Sequence, residues 1–169
     1  MAFTTVPTIT DTVATAANLN TYIRDNQRAL KDPPSQNYEA NQGGDYTVTT
    51  SSWANVDNSN FALSIATTGG DVMIGFSGSI KGAQVIIDVE MDGTRLVNQS
   101  NSGILVTDVS GGNARSFSFV RLIQSVSANT HIFKLQWRLV AGPSLCTLYA
   151  GAGTGGYDVH PQFWARELT

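Results

Sequence analysis

Apolar and polar residues alternate along most of this chain, from about residue 46 to the C-terminus. The longest run places one set of side chains on a single face: His131, Phe133, Leu135, Trp137 and Leu139. A period of two is that of a half-buried β-strand, because successive side chains of a strand point to opposite sides of the sheet. Clusters of Gly, Asn and Ser separate these runs. The pattern therefore predicts about ten short strands without intervening helices, an antiparallel β-sandwich over residues 46–169.

One turn of this sandwich is predicted from two residues. Asp92 and Gly93 separate the alternating stretch 85–91 from a second extended stretch. An Asp-Gly pair favours a two-residue hairpin turn, since both residues tolerate positive φ. The sequence thus predicts a β-hairpin centred on residues 92–93.

A different period governs the start of the chain. Four apolar residues recur at helical spacing and share one helix face: Ala16, Leu19, Ile23 and Leu30. Thr15 can cap the first turn, and Pro33 ends the helix because proline lacks a backbone N–H. We therefore predict a helix over 16–30 inside an N-terminal arm of residues 1–35, followed by a linker at 36–45. The apolar face is narrow, so the helix needs a surface to bind.

Composition excludes several classes of function. Charged residues make up 14% of the chain, against ~25% in an average soluble protein, and the net charge is −3. We expect no nucleic-acid partner, because nucleic-acid-binding proteins carry a basic excess. No apolar run approaches the ~18 residues of a membrane span, so no membrane partner is expected. One cysteine and two histidines leave little for a metal site, and no cofactor or metal is expected.

Two motifs suggest chemistry, and each has a simpler explanation. Residues 151–156 satisfy G-x-G-x-x-G, but no helix can begin there before the chain almost ends, so a glycine-rich loop is favoured over a nucleotide site. Asp88 and Glu90 lie two apart on a strand and would share a face, as a carboxylate pair for glycoside hydrolysis does. They alternate with apolar residues, so we predict that both face solvent.

A nucleophile and its base could come from Cys146 with His131 or His160. Cys146 lies in an apolar stretch, where a buried, unreactive thiol is expected. His160 precedes a proline and is expected to hold a turn, whereas His131 opens the apolar face of its strand. The sequence therefore predicts no catalytic residue and no enzymatic activity.

Two features indicate contacts with other chains. Arg24, Arg28 and Lys31 form a basic stripe beside the apolar helix face, which is either a solvated face or a docking surface for an acidic protein. Phe163 and Trp164 are consecutive in the last strand and point to opposite faces of the sheet. The sandwich covers one of these faces, and a subunit contact can cover the other.

The arm resembles an N-terminal segment that recurs in small virion structural proteins of tailed bacteriophages and prophages. The matching residues run from Thr15-Ala16-Ala17-Asn18-Leu19-Asn20 through Tyr22-Ile23-Arg24-Asp25-Asn26 to Ala29-Leu30. This resemblance implies attachment to other virion proteins, either the major capsid protein or tail proteins. The residues expected to make this attachment are Leu19, Ile23, Arg24, Arg28 and Leu30.

The remainder of the chain resembles the TNF/C1q-like jelly roll, a ten-stranded antiparallel sandwich that assembles as a trimer. The resemblance rests on the segment 70–78, the stretch 131–139 and the aromatic strand 163–168 that ends the chain. In that fold the last strand lies centrally in its sheet and faces the threefold axis. The resemblance implies a homotrimer with the last strand at its interface. Because the chain has more apolar surface than one sandwich face can hide, with Leu145 near the others, we predict an interface that includes Leu148, Tyr149, Phe163 and Trp164.

These features together predict an all-β jelly roll preceded by one N-terminal α-helix, acting as a non-enzymatic structural protein on the virion exterior. Capsid decoration is the favoured role, because the chain is compact and has no long fibre shaft. The alternative is a tail-tip or fibre-tip adhesin whose loops bind a host surface glycan or protein. A carbohydrate-active enzyme is disfavoured by the lack of a convincing acid/base pair.

Overall fold

The computed structural model describes residues 20–24, 26–27, 32–40, 44–107, 113–141, 144–151 and 159–168. These residues form antiparallel β-strands and one short helical segment, which confirms the predicted all-β class. The strands are, in chain order, β1 (Ser35–Glu39), β2 (Tyr46–Val48), β3 (Ala54–Asn55), β4 (Ala62–Ala66), β5 (Gly70–Gly82), β6 (Val85–Met91), β7 (Thr94–Arg95), β8 (Leu105–Thr107), β9 (Arg115–Val126), β10 (Thr130–Leu139), β11 (Cys146–Leu148) and β12 (Gln162–Leu168).

The strands form two sheets of six strands each. In the first sheet, β5 is central: β9 pairs along one side of it, and β12 and β11 pair end to end along the other. β1 extends this sheet beyond β12, and β2 extends it beyond β11. In the second sheet, β10 is central, with β6 on one side and β3 and β4 on the other. β7 and β8 pair with the far side of β6.

The core contains the inward-facing residues of both sheets. Phe61 lies at its centre, with its ring edge-on to Tyr38 at 5.1 Å and to Tyr46 at 5.2 Å between centroids. It also lies 6.4 Å from the ring of Phe76 and 6.5 Å from that of Phe163. Aromatic pairs of this kind contribute about 0.5–1.5 kcal/mol each beyond the burial of their area. Phe61 therefore connects the β1, β2, β5 and β12 segments of the first sheet to the second sheet.

The turn between β6 and β7 confirms the prediction made from its Asp-Gly pair. Asp92 has φ of 50° and Gly93 has φ of 85°. Met91 pairs directly with Thr94 across the turn. Positive φ at both central residues defines a type I′ geometry, whose twist matches that of the flanking strands.

The prediction of a linker over 36–45 is wrong for its first residues. Ser35–Glu39 forms β1, which pairs with β12 in five consecutive positions. The Pro34 carbonyl accepts a hydrogen bond from the Glu167 amide at 2.8 Å, so the sandwich begins near residue 34. The strand was not recognisable because it lies at a sheet edge, where four of its five side chains are exposed and polar. Only Tyr38 is half-buried, so alternation is not visible in the sequence.

The helical segment of the arm comprises residues 20–24 and 26–27. Ile23 and Arg24 are exposed on it. The remaining attachment residues predicted above, Leu19, Arg28 and Leu30, lie outside the described residues, as do both ends of the predicted helix. Among the residues that are described, no helix has the length and apolar character that crossing a membrane requires.

Candidate functional site

The outer face of the first sheet, which points away from the core, is built mainly by the central strand β5 and the edge strand β9. The residues that these two strands contribute are Met73, Gly75, Ser77 and Ser79 from β5, and Ser116, Ser118, Val120 and Leu122 from β9. All eight are uncharged. The charged residues of this face are Asp71 and Lys81 near the two ends of β5, Arg166 on β12, which pairs with Met73, and Glu39 on β1, which pairs with Gln162. Between Asp71 and Lys81, the outward-facing residues of β5 and their partners on β9 carry no charge.

Trp164 lies flat across the middle of this face. Its strand β12 pairs with β5 so that Trp164 is opposite Gly75, and Gly75 is in turn opposite Val120 on β9. A Cβ atom on residue 75 would lie 2.5 Å from Cε2 of the indole, which is closer than any real contact. Gly75 therefore makes room for the indole, which remains half-buried against its own sheet.

Four apolar residues form a continuous apolar patch on this face: Met73, Val120, Leu122 and Trp164. Val120 is 62% exposed and Leu122 is 46% exposed, although both belong to a regular, twelve-residue strand. The pairing register places Leu122 opposite Met73, in the row next to Val120 and Trp164. Exposed apolar clusters of this kind mark surfaces that bind another molecule.

The other half of the outer face carries a serine cluster, comprising Ser77, Ser79, Ser116 and Ser118. The hydroxyl groups of Ser79 and Ser116 are 2.9 Å apart and hydrogen-bonded. These serines line a shallow cavity of about 400 Å³, together with Val159, His160 and Pro161 from the segment before β12. The face thus changes along its length from apolar to neutral and hydroxyl-rich.

The outer face of the second sheet differs, and it corrects one prediction. Asp88 was expected to face solvent, but it is fully buried. Asp88 does point away from the core, as its alternation with Ile87 and Val89 predicts. It is buried because the chain after β7 folds back over it. A Cβ on Gly103 would lie 2.5 Å from the Ile87 carbonyl oxygen, which shows how closely this chain approaches β6.

The Asp88 carboxylate is hydrogen-bonded to three neighbouring donors. Its carboxylate accepts hydrogen bonds from the Val89 amide at 2.8 Å, the Val97 amide at 3.3 Å and the Arg95 guanidinium at 3.3 Å. Burial raises the pKa of Asp88 by more than these donors lower it. Glu90, on the same face, is partly exposed and accepts a hydrogen bond from Gln136 at 2.5 Å. These two carboxylates sit in different environments, and both are held by protein donors.

A cation–aromatic cluster closes this outer face of the second sheet. The guanidinium of Arg95 lies 4.1 Å from the centre of the Trp53 ring, and that of Arg138 lies 6.0 Å from it. Arg95 also donates to the Gln99 and Ser102 carbonyls, at 2.7 and 3.2 Å. The guanidinium groups of this cluster are therefore held by groups of the same chain, whereas Val106 and Ile132 on the same face remain exposed.

One titratable cluster was not foreseen from the sequence. His131 Nδ1 lies 2.6 Å from a carboxylate oxygen of Asp92, and His131 Nε2 lies 3.2 Å from the hydroxyl of Ser127. The order Asp, His, Ser matches that of a hydrolase triad, but Nε2 is closer still, at 3.0 Å, to the backbone carbonyl of Ser127. The hydrogen bond to Asp92 raises the pKa of His131 against the effect of burial. No spacing in the sequence links residues 92, 127 and 131, because the fold brings two separate turns together.

The residues predicted to form a trimer interface occupy two different environments. Phe163 and Leu148 are enclosed in the core, with 0% and 1% exposure, so they cannot contribute contact area to another subunit. Trp164 lies on the outer face of the first sheet, as the alternation requires. Tyr149 is half-buried and donates its amide to the Ser79 carbonyl at 3.0 Å. Sequence reasoning missed Val120 and Leu122, although their alternation with Phe119 and Arg121 was present.

The remaining candidates for chemistry are placed as follows. Cys146 is buried, as predicted, and burial raises the pKa of its thiol to about 12, which makes it unreactive. His160 lies 3.7 Å from the carboxylate of Glu39 at the surface. Of the glycine-rich stretch 151–156, only Gly151 is among the described residues. Within the described ranges, no group of three or more His, Cys, Asp or Glu side chains is arranged to hold a metal ion.

Comparisons with known proteins add little to this description. No family model matches the chain, and no curated protein matches it. Among solved structures, dimeric latent PorU from Porphyromonas gingivalis is similar at 10% identity with a TM-score of 0.35. That likeness covers 81% of this chain but only 13% of the PorU chain. A TM-score of 0.35 is too low to indicate a common fold or function.

Proposed function

We propose that this chain is a non-enzymatic structural protein of a bacteriophage virion. In this proposal it forms a homotrimeric jelly roll displayed on the virion exterior, attached by its N-terminal arm and serving as capsid decoration. The observation that carries the proposal is the exposed apolar patch of Met73, Val120, Leu122 and Trp164 on the outer face of the first sheet. Protein interfaces between identical subunits are enriched in aromatic residues and Met at their centre, and this patch contains Trp164 and Met73.

The strand order supports a jelly roll of the TNF/C1q-like kind. The last strand β12 is internal to the first sheet, with β1 on one side and β5 on the other. The resemblance of the sequence to that fold implies that this strand faces the threefold axis. Trp164 is the residue through which it would do so, since Phe163 points into the core. The interface predicted from sequence is therefore revised to the apolar patch, with Met73, Val120 and Leu122 added.

The role of the arm is supported by its sequence and by where the sandwich begins. The bacteriophage-like segment lies before residue 31, whereas Pro33 is buried and the Pro34 carbonyl is hydrogen-bonded to β12 of the sandwich. Attachment and folding are thus assigned to separate parts of the chain. Three arms on one trimer would bind a virion with avidity, because the second and third contacts form at high effective concentration.

The experiment that tests the proposal uses virions produced without this protein. We expect the purified full chain to bind them, whereas a chain comprising residues 32–169 and a Leu19→Asp, Ile23→Asp variant should not. The double substitution charges the apolar helix face but leaves the sandwich unchanged. Equal binding by the shortened chain would show that the sandwich itself contacts the virion, and absence of binding by the full chain would refute virion attachment.

The adhesin alternative is favoured by the shallow cavity beside the serine cluster. Hydroxyl groups in a neutral cavity of about 400 Å³ suit a polar, uncharged ligand such as a glycan. This role predicts that the full chain binds host cells, and that Ser77→Val with Ser118→Val abolishes this binding. Binding to virions without binding to cells would exclude it.

A further inference from the structure

Three turns meet around His131 at one end of the sandwich. Asp92 belongs to the β6–β7 turn, and Ser127 belongs to the turn between β9 and β10. Thr67 follows β4, and its hydroxyl donates to the Ser127 carbonyl at 2.6 Å. The side chain of His131 is only 8% exposed and contacts both Asp92 and Ser127. Its hydrogen bonds therefore determine how two of the three turns are held together.

Asp92 gives the imidazole a fixed partner on one side. The second carboxylate oxygen of Asp92 accepts the Ile132 amide at 2.8 Å, and the Asp92 amide donates to the Ile132 carbonyl at 3.0 Å. The carboxylate is thereby fixed relative to the backbone of β10. Because a carboxylate can only accept, Nδ1 of His131 carries a hydrogen whether the ring is charged or neutral.

Ser127 offers two different partners on the other side. Its backbone carbonyl lies 3.0 Å from Nε2 and can only accept, so it suits the protonated ring. Its hydroxyl lies 3.2 Å from Nε2 and can donate, so it suits the neutral ring, whose Nε2 has a lone pair. One residue thus carries a suitable group for each protonation state.

We propose that His131 is a two-state proton switch that changes its hydrogen-bond partner within Ser127. In the protonated state Nε2 donates to the Ser127 carbonyl and, together with Thr67, holds the β9–β10 turn. In the neutral state that bond is lost, Nε2 accepts the Ser127 hydroxyl, and Thr67 alone holds the carbonyl. The switch tightens this end of the sandwich as the pH falls.

Other carboxylates at this end do not contact the imidazole. Glu167 on β12 accepts the Thr68 amide at 2.9 Å, and Asp71 on β5 accepts the Ser125 amide at 2.9 Å. On β4, the residue paired with His131 is Ile65, which does not titrate. Asp92 is the charged group hydrogen-bonded to the ring among the described residues, so the switch depends on the groups named above.

The test is a pH titration of the full chain by NMR that reads both nitrogens of each imidazole. We expect the neutral ring of His131 to carry its hydrogen on Nδ1. Ser127→Ala removes the partner of the neutral ring but keeps the carbonyl, so it should move the titration midpoint of His131 upward by about half a pH unit or more, the worth of one neutral hydrogen bond. Ser127→Thr keeps the hydroxyl and should restore the wild-type midpoint.

His160 is the internal reference, because it lies on a separate segment that neither substitution contacts. A His131 midpoint that is unchanged or lowered in Ser127→Ala would overturn the proposal. A neutral ring with its hydrogen on Nε2 would overturn it as well, because the Ser127 hydroxyl could not then be its donor. Virion attachment is not involved in any of these readouts.

Discussion

The outer faces of the two sheets differ in whether another segment of the chain covers them. Each sheet has one face in the core and one face outside it. On the second sheet, the chain after β7 covers the outer face, and Asp88, Arg95 and Arg138 are paired with groups of the same chain. On the first sheet, no described segment covers the centre, and Val120 and Leu122 remain exposed.

Charged and apolar residues on an outer face differ in what can cover them. Loops of the same chain can cover a charged face when they supply a hydrogen-bond or ion-pair partner for each charge that they bury. A face that carries Trp, Met, Val and Leu without a covering segment gains stability only from a second molecule. We infer that the charged cluster of the second sheet is held within one chain, whereas the apolar patch of the first sheet, which includes Trp164, is covered by assembly; Val106 and Ile132 of the second sheet are exposed but lie apart from that cluster.

The largest effect is expected from Asp88→Ala, which opens the closed face. It removes the acceptor of two backbone amides and one guanidinium, in a fully buried site. Loss of one partner from a buried charge pair typically costs about 3 kcal/mol or more. Urea denaturation should therefore show a markedly lower free energy of unfolding.

The matched control for this change is Glu90→Gln, on the same face and strand. Glu90 is partly exposed and its replacement keeps an oxygen acceptor for Gln136, so the expected cost is under about 1 kcal/mol. Equal effects of the two substitutions would mean that Asp88 is solvated after all.

Alanine substitution of one glycine on each outer face tests the two faces at single positions. At Gly103, a Cβ would lie 2.5 Å from the Ile87 carbonyl, a backbone atom that cannot move aside, so Gly103→Ala should cost about 1–3 kcal/mol of stability. At Gly75, the obstacle is the Trp164 side chain, which can rotate outward. Gly75→Ala should therefore lower the free energy of unfolding by less than Gly103→Ala does, but it should weaken trimer formation. Thermal melts and sedimentation of both variants separate these effects. The comparison fails if Gly75→Ala unfolds the chain while Gly103→Ala does not.

The pH dependence of stability should be smaller. The raised pKa of His131 means that its contribution is complete below its unfolded value and is lost as the pH rises through the folded value. Burial acts to raise the pKa of Asp92, but hydrogen bonds from Ile132 and His131 outweigh it and lower the pKa. The contribution of Asp92 is therefore lost on the acid side.

A melting series from pH 6 to pH 9 checks this expectation. The wild type should lose about 1 kcal/mol across the range, relative to a His131→Gln variant that has no imidazole to titrate. Parallel curves for the two proteins would show that the ring contributes no pH-dependent stability.

Removal of residues 1–31 is expected to have the smallest effect on stability, under about 0.5 kcal/mol. The truncated chain retains Pro34 and β1, and with them every described contact between the start of the sandwich and β12. Removal of residues 1–39 is the contrasting variant, because it deletes β1 and the Tyr38–Phe61 ring contact. A large loss of stability with the shorter deletion would place the arm in the fold rather than in attachment.

Much of the fold could be predicted from alternation and one turn. The stretch 131–139 and the Asp-Gly turn required only local information, and the structure has both as predicted. The β1 strand could not be found in this way, because an edge strand with polar side chains looks like a linker. Its identity depends on pairing with a strand about 125 residues later, which no local pattern records.

The candidate site was predicted only in part, for the same reason. Alternation indicated that Trp164 faces away from the core and that Asp88 lies opposite the apolar side of β6. It could not indicate that residues 96–104 cover Asp88 or that nothing described covers Val120. Whether an outward-facing residue meets water, its own chain or a partner depends on the path of distant segments.

Trimer formation through the apolar patch is tested most directly by the mass of the full chain, measured by sedimentation equilibrium at micromolar concentration. We expect about 54 kDa, three times the 18.0 kDa of one chain. Val120→Lys with Leu122→Lys, on the apolar patch, should give an 18.0 kDa species that remains folded. The matched double substitution Val106→Lys with Ile132→Lys, at 51% and 45% exposed positions of the second sheet, should leave the trimer intact. A wild-type chain of 18.0 kDa, or equal dissociation by both pairs, would contradict the claim that the apolar patch of the first sheet is covered by assembly.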